Sequence, residues 1–244
     1  MSYNRNIVLC LFGAMTLLLS CSKPWSANSY RNTSEDDTYK LYDLYVDEYG
    51  NKGIVAWKYY YKWKNGDVTD RMLVLSLDEA FLPWGPMNER VYLADSIPLP
   101  WRFGVAMLQS MYDRGIERYP AMNWCNQKNR GDKPYSGSWR LPVKTEWNTM
   151  LDDDDNPLHL QAINQALKKY GGTPLDEEEM YWMAGEDYEG YVRFDSKDIE
   201  TDYDPYNRAV AMNAEIKLWT DKDRWLKKLY NRVRAVKYVV FRDE

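Results

Sequence analysis

Two strand-like segments joined by a tight-turn signal constrain this fold more than any other feature. The segment GIVAWKYYYKW, residues 53–63, is rich in aromatic and β-branched residues, and RMLVLSL, residues 71–77, is strongly apolar. Between them stands Asn65-Gly66, a dipeptide that favours a tight β-hairpin turn. The sequence therefore predicts an antiparallel hairpin. The loop PWGPMN, residues 83–88, stops the sheet, because proline cannot donate a ladder hydrogen bond.

Other strands are shorter or come late in the chain. The segment VRAVKYVVF, residues 233–241, predicts one more apolar strand. Shorter candidates lie at residues 191–195, 210–212 and 216–219.

Helices are predicted between these strands. One covers residues 100–114 and stops at Gly115, and a short one covers residues 143–150. A third starts at Asn156-Pro157, with Asn156 as N-cap, and ends at Gly171. A helical turn near residues 221–229, with Thr220 as N-cap, is a further candidate. Strands and helices segregate rather than alternate, which indicates an α+β fold, and no linker or repeat divides residues 39–244.

The N-terminus has the pattern of an export signal. Arg5 precedes an apolar run, residues 7–19, that is too short to span a bilayer comfortably but suits a signal peptide. The run ends in Leu18-Leu19-Ser20-Cys21, which resembles the lipobox of bacterial lipoproteins. That resemblance implies a signal peptide of residues 1–20 and lipidation of Cys21. The alternative is an ordinary secretory signal, or an anchor, that happens to contain a cysteine.

The segment after Cys21 predicts a tether. Residues 21–38 are polar and aperiodic, as expected of a flexible link between a lipid anchor and a domain. Several acyl chains on Cys21 would hold the chain stably at a membrane, since each buried methylene contributes about 0.8 kcal/mol. Residue 22 is serine and not the aspartate that tends to retain enterobacterial lipoproteins at the inner membrane. We therefore expect a bacterial cell-envelope protein at the outer membrane, with the leaflet left open.

Charge and composition narrow the class of ligand. The formal net charge is −5, and no stripe of lysine and arginine stands out, which argues against nucleic acid as a partner. The chain has 21 tyrosines and 11 tryptophans against 5 phenylalanines. This composition suits a loop-rich domain in which ring polar atoms bond the backbone, which is the commoner case, and it also suits a surface for flat ligands such as sugars.

The sequence does not point to a catalytic or metal centre. Of the three cysteines, Cys10 leaves with the signal and Cys21 carries lipid, so Cys125 has no disulfide partner and is expected to be a small core residue. His159 is the only histidine, so neither a zinc site nor a nucleophile–histidine system is expected, and we predict no cofactor.

Three acidic stretches could in principle supply oxygen ligands to calcium. They are DDDDNPLH, LDEEEM and DIETDYD, at residues 152–159, 175–180 and 198–204. The first lacks EF-hand spacing, and a solvated loop before a helix explains it more simply. We therefore predict no metal site. No spacing singles out a carboxylate pair of the kind that glycosidases use.

Several motifs in order carry a family resemblance. They include MLVLSLDEAFLPWG, YPAMNWCN, GSWRLPVKTEW, YWMAGED and RVRAVKYV. This order resembles the Fibrobacter-type major paralogous domains and their Bacteroidetes lipoprotein relatives, over residues 39–244. The resemblance implies a single C-type-lectin-like domain. Residues 181–187, YWMAGED, replace the family's YWSSTE, and the stretch before Arg232 is bulkier than usual.

The two activities known for proteins of this fold, calcium-dependent sugar binding and oxidation by a cysteine pair, are not expected of this chain. Sugar-binding C-type lectins hold calcium with Glu-Pro-Asn or Gln-Pro-Asp followed by Trp-Asn-Asp, and the chain contains none of these. The related oxidising enzymes need a redox-active cysteine pair, which Cys125 alone cannot form. A shared fold by itself assigns no function.

The best candidate for a ligand site is a tyrosine-rich stretch that corresponds to the variable loops of lectin-like folds. Rings that stack on a sugar face and polar groups that fix its hydroxyls suit carbohydrate binding. The alternative is loop packing by tyrosine rings. The candidate residues are Asp187, Tyr188, Tyr191, Asp202, Tyr203, Tyr206 and Asn207.

The stretch SGSWRLPVKTEWNTML, residues 136–151, is interpreted as a joint of the scaffold rather than a site. Trp139 and Leu141 have the spacing of inward residues of a short strand, and a helix follows Pro142. Arg140 would then pair with Glu146 or with a backbone carbonyl.

The function we predict is a non-enzymatic surface lipoprotein that binds or adheres to a glycan or protein partner. Two alternatives stay open: an enzyme acting on envelope glycans and a structural component of a surface or fimbrial assembly. A pocket with two carboxylates would favour the enzyme. An open aromatic face would favour binding, and a long exposed edge strand or an apolar patch would favour assembly.

Overall fold

The computed structural model describes residues 39–62, 68–89, 91, 100–132, 134–135, 137–151, 158–186, 208–212 and 224–243. The signal peptide, the tether, and the strands predicted at residues 191–195 and 216–219 lie outside these ranges. No helix within them combines the length and apolar character needed to cross a bilayer. The strands are β1 Leu44–Val46, β2 Lys52–Lys62, β3 Val68–Ser76, β4 Ala80–Pro83, β5 Tyr181–Glu186, β6 Arg208–Met212, β7 Arg224–Leu226, β8 Tyr230–Val233 and β9 Val236–Asp243. The helices are α1 Pro100–Asp113, α2 Pro120–Gln127, α3 Lys144–Leu151 and α4 His159–Lys169, with a 3-10 helix at Ile116–Arg118.

The predicted hairpin forms the centre of the first sheet. β2 and β3 pair antiparallel from Gly53↔Ser76 to Lys62↔Val68, and the sheet has the order β1-β2-β3-β9. The turn residues Asn65 and Gly66 lie outside the described residues.

The first sheet is buried on both faces. Side chains at alternate positions of β3 enter different apolar clusters, with Met72 and Val74 in one and Leu73 and Leu75 in the other. This double burial explains the continuous apolar run in the sequence, since a half-solvated strand would alternate with polar residues.

The second sheet has the order β4-β8-β5-β6-β7. Its strands are antiparallel, except that β5 and β8 pair in parallel at Tyr181↔Arg232. The two mostly antiparallel sheets and the separate helices confirm the α+β class. The strand predicted at residues 210–212 is confirmed as the end of β6, whereas β4, β5 and α2 were not predicted.

The strand predicted over residues 233–241 is confirmed from Val236 onward as β9, but its start is wrong, because Val233 ends β8 and a break separates the two strands. The chain leaves the second sheet after β8 and enters the first with β9, so that Arg234 and Ala235 lie between the sheets. Arg234 is fully buried and donates to the carbonyl oxygens of Ser76 at 3.0 Å and Leu77 at 2.8 Å. Burial lowers the pKa of its guanidinium, although the Glu79 carboxylate opposes that effect. A buried guanidinium needs hydrogen-bond acceptors, and the carbonyl oxygens of Ser76 and Leu77 supply them where the two sheets meet.

Helices α1 and α3 match their predictions within one residue. The predicted start of α4 is wrong. Its N-cap position is Leu158, which makes no side-chain capping bond, and the helix begins at His159 instead of following an Asn156 cap. Its end is as predicted, because Gly171 has φ 76° and Gly172 N–H donates to Leu167 O at 2.8 Å. The helical turn predicted near residues 221–229 is wrong too, since β7 occupies Arg224–Leu226.

The joint predicted at Trp139–Glu146 is confirmed, except that an isolated bridge at Arg140 replaces the predicted short strand before α3. Arg140 is fully buried, bridges to Val236 of β9, and donates to the Glu146 carboxylate at 2.7 and 2.5 Å. Glu146 also accepts the Val143 N–H at 3.0 Å, which satisfies a donor at the start of α3. Gly104 of α1 lies against the guanidinium, where a Cβ would stand only 2.6 Å from Arg140 Nη1. The ion pair therefore fastens α1, α3 and β9 together.

Candidate functional site

The tyrosine-rich stretch predicted from the sequence lies outside the described residues. This applies to Asp187, Tyr188, Tyr191, Asp202, Tyr203, Tyr206 and Asn207. The prediction for these seven residues therefore stays a prediction. Cys21 likewise lies outside the described residues.

A different aromatic and polar surface forms where the turn between β1 and β2 meets the loop after α2. We call Tyr49, Arg130, Asp132 and Tyr135 the tyrosine surface. Tyr49 Oη donates to Asp132 Oδ2 at 2.8 Å, and the Arg130 guanidinium lies 4.8 Å from the centroid of the Tyr49 ring. Tyr135 is 46% exposed and presents its ring to solvent.

Asp47 fixes the turn that carries Tyr49. Its carboxylate accepts the N–H groups of Tyr49 and Asn51 at 2.9 and 2.8 Å, the Asn51 amide at 2.8 Å, and Trp139 Nε1 at 2.8 Å. Burial alone would raise the pKa of Asp47, but the hydrogen bonds from Asn51 and Trp139 outweigh it and hold that pKa below its ordinary value. The carboxylate stays ionised and binds the turn to the Trp139 joint.

The second loop is equally well held. Asn51 Nδ2 donates to Lys128 O at 2.8 Å, and Asn129 makes a reciprocal pair of bonds with the Trp139 backbone at 2.8 and 3.0 Å. Tyr135 N–H donates to Ser138 Oγ at 3.0 Å. Because both loops are fixed by hydrogen bonds before any ligand arrives, the side chains of the tyrosine surface are preorganised, which lowers the entropic cost of binding.

The charges around the exposed ring are mostly negative. Burial raises the pKa of Tyr135, and the carboxylates of Glu48, Asp47 and Asp132 raise it further. The hydrogen bond to Asp132 raises the pKa of Tyr49. Both phenols are therefore neutral donors at physiological pH. The Lys237 ammonium is 5.9 Å from the Tyr135 ring centroid, and Lys237 is only 5% exposed.

This arrangement is suited to holding a polar ligand with an apolar face. The ring of Tyr135 offers a stacking surface, while Asp132 and Tyr49 offer hydrogen-bonding groups beside it. The residues of the tyrosine surface were not predicted as a site, because they come from segments far apart in the chain. The sequence signals at these positions are two turn-forming segments, DEYGN at residues 47–51 and NRGDKPYSGS at residues 129–138.

Three carboxylates in the interior are engaged in ion pairs or hydrogen bonds with cations and a phenol. Glu146 pairs with Arg140, and Glu79 pairs with Arg232 at 2.8 Å and with Arg234 at 2.6 Å. Glu89 accepts from Tyr119 Oη at 2.6 Å and from Arg118. Within the described ranges, no three metal-ligating side chains come together.

Cys125 and His159 occupy structural positions. Cys125 is completely buried, and burial raises its thiol pKa far above the ordinary value, so it is the small core residue that was expected. His159 is 2% exposed, and its Nδ1 lies 2.5 Å from Tyr42 Oη. This contact joins the start of α4 to the segment before β1.

The chain shows little similarity to known proteins. No protein-family model matches the chain, and no curated protein matches it. Among solved structures, the chain is similar to a fimbrial protein from Bacteroides ovatus, with 13% sequence identity and a TM-score of 0.43. The match covers 68% of this chain and 35% of the fimbrial protein, so the chain spans about a third of that protein's length. This likeness assigns neither a family nor a function.

Proposed function

We propose that the chain is a lipid-anchored surface protein of the bacterial envelope whose C-type-lectin-like domain binds a glycan at the tyrosine surface, without enzymatic activity. The observation that carries the proposal is the exposed Tyr135 ring, which interacts electrostatically with both members of the hydrogen-bonded Tyr49–Asp132 pair. Carboxylate, phenol and ring groups on rigid loops are suited to a saccharide. The ion pairs that engage Glu79, Glu89 and Glu146 give these carboxylates a role in stability.

The proposed lectin-like kinship is supported by the positions of its motif residues. Trp139 and Arg140 form the joint between loop and α3, and Trp182 in β5 donates to Leu82 O of β4 at 2.9 Å. Arg232 and Arg234 share Glu79. Each motif residue connects separate elements, as expected of residues that define a scaffold while the surface loops vary.

Glycan binding should depend on the Tyr135 ring. On a glycan array probed with residues 39–244, with and without calcium, we expect saturable binding that Tyr135→Ala weakens at least about tenfold and Tyr135→Phe largely retains. The control is Tyr230→Ala, which removes a tyrosine of comparable exposure outside the tyrosine surface. Equal loss in both alanine variants, or none in Tyr135→Ala, would contradict the assignment.

The lipid anchor has its own test. In cells fed a labelled fatty acid, Cys21→Ala or treatment with globomycin is expected to abolish lipid labelling, because the proposed acceptor thiol, or cleavage of the signal before it, is lost. Ser20→Ala keeps a small residue before the cysteine and should leave labelling intact. Labelling that survives Cys21→Ala would refute the lipoprotein proposal.

Assembly into a surface structure is a second candidate function. β9 is an edge strand of eight residues, and among the described residues only Arg140, at Val236, pairs with its outer side. Val240 on this strand is 45% exposed. An unpaired edge can add a strand from another chain. A glycan array that stays empty with the folded domain would favour assembly over glycan binding.

A further inference from the structure

Three of the large apolar side chains that are exposed in the described residues gather at one corner of the second sheet. Phe81 of β4, Leu229 and Tyr230 are 53%, 39% and 56% exposed. The rings of Phe81 and Tyr230 lie 5.7 Å apart, between centroids, and are tilted by 41°. Together with Arg232 we call these residues the aromatic patch. It shares no residue with the tyrosine surface.

The strand register places the patch on one face of β4 and β8, at the edge of the sheet. Phe81 is directly opposite Arg232, and Tyr230 is two positions before Arg232 on the same strand, so their side chains share one face. The other face is the core, where Val233 is fully buried and Asn231 is 6% exposed. The exposed rings therefore do not contribute to the core of the sheet.

Arg232 is held in place beneath the rings. Its guanidinium donates to Glu79 Oε1 at 2.8 Å, its Nε lies 3.8 Å from Glu179 Oε2, and its central carbon is 5.9 Å from the Phe81 ring centroid. Phe81, Tyr230 and Arg232 thus have fixed relative positions before binding. Aromatic residues and arginine at a preorganised centre are typical of interface hot spots.

Acidic side chains border the patch. Asp176, Glu177 and Glu178 are exposed, and the side chain of Glu179, next to Arg232, is 43% exposed. The run is attached to the sheet, because Arg232 N–H donates to Met180 O at 2.8 Å and Asp176 N–H donates to Tyr181 Oη at 3.0 Å. Among the described residues, the accessible cations nearby are Arg232, which is paired with Glu79, and Lys228, which precedes Leu229, whereas Arg234, which shares Glu79, is fully buried. The border is therefore negative overall.

We propose that the aromatic patch is a docking surface for a protein segment that presents lysine or arginine beside apolar side chains. The apolar groups would cover Phe81 and Tyr230, and the cations would meet the acidic run 176–179. A second copy of this chain fits poorly, since it would bring the same acidic border and a like net charge of −5. An anionic membrane surface is disfavoured for the same reason.

Two synthetic peptides test the proposal on the chain with its lipid site replaced by Cys21→Ser. One peptide is an amphipathic leucine–lysine sequence and the other has glutamate in place of lysine, both labelled with fluorescein. By fluorescence anisotropy, we expect the lysine peptide to bind and the glutamate peptide to bind at least about tenfold more weakly. The Phe81→Ala/Tyr230→Ala variant should lose at least about tenfold in affinity for the lysine peptide.

Two further variants complete the design. Val46→Ala trims an exposed apolar residue on the other sheet and should leave binding unchanged. Glu177→Lys/Glu178→Lys leaves the rings in place and should weaken binding of the lysine peptide and flatten its salt dependence. The proposal is overturned if neither peptide binds, if both bind equally, or if the ring variant binds like the wild type. It is also overturned if the wild type instead self-associates, or binds anionic vesicles, through Phe81 and Tyr230.

Discussion

Replacing Arg140 by methionine is expected to lower the free energy of unfolding by about 3–5 kcal/mol. The substitution keeps an apolar stem but removes the guanidinium that donates two hydrogen bonds to Glu146. Glu146 is only 7% exposed, so its carboxylate would stay buried without its cation. Breaking a buried pair on one side leaves the desolvation penalty of the other partner uncompensated. Chemical denaturation monitored by tryptophan fluorescence measures the loss.

The double variant Arg140→Met/Glu146→Leu separates the ion pair from packing. It removes both charges together, so it should lose clearly less stability than the sum of the two single variants. It will not regain the wild-type value, because the Val143 N–H loses its acceptor. Single losses that simply add in the double variant would show that Arg140 and Glu146 are not energetically coupled.

Replacing Trp147 by alanine is expected to cost about 3–5 kcal/mol of stability. The side chain is 1% exposed, and its ring centroid lies 5.1 Å from that of Tyr181 in β5. Removing it leaves a large cavity between α3 and the second sheet. Thermal and chemical denaturation measure the cost, and the glycan affinity of the molecules that remain folded should not change.

A matched tryptophan gives the control for that prediction. Trp124 of α2 is only partly buried and carries the Lys128 ammonium over its ring at 4.4 Å. Trp124→Ala should therefore destabilise the chain less than Trp147→Ala does. If Trp147→Ala abolished glycan binding and left the melting temperature unchanged, its assignment to the scaffold would be wrong.

The parts of the fold that were predictable from sequence depend on neighbours in the chain. The hairpin of β2 and β3 follows from two apolar runs flanking Asn65-Gly66, and the end of α4 follows from Gly171. The break between β8 and β9 was not predictable, because Val233 and Val236 are equally apolar on both sides of it. What decides the break is the set of acceptors for Arg234, and these come from distant residues: Ser76 and Leu77 are more than 150 positions earlier, and Thr173 is 61 positions earlier.

The candidate site shows the same limit. Tyrosines and carboxylates make up both candidate sites, but the sequence indicated residues 187–207. The tyrosine surface instead depends on a hydrogen bond between Tyr49 and Asp132, which are 83 positions apart. The turn that carries Tyr49 is held by a hydrogen bond between Asp47 and Trp139, which are 92 positions apart. Trp139 was correctly predicted as an inward scaffold residue. Its partner could not be identified, since a long-range hydrogen bond leaves no periodic signal in one sequence.

The placement of β8 and β9 also bears on how the chain becomes a folded molecule. β8 completes the second sheet between β4 and β5, and β9 completes the first sheet beside β3, so each sheet lacks a member until this stretch has been synthesised. Ala80↔Val233 and Leu75↔Val236 are contacts between distant parts of the chain, which carry a large loop-closure cost and slow folding. During synthesis, both sheets therefore stay incomplete until residues 230–243 have been added. Closure of both sheets would follow as one late, cooperative step.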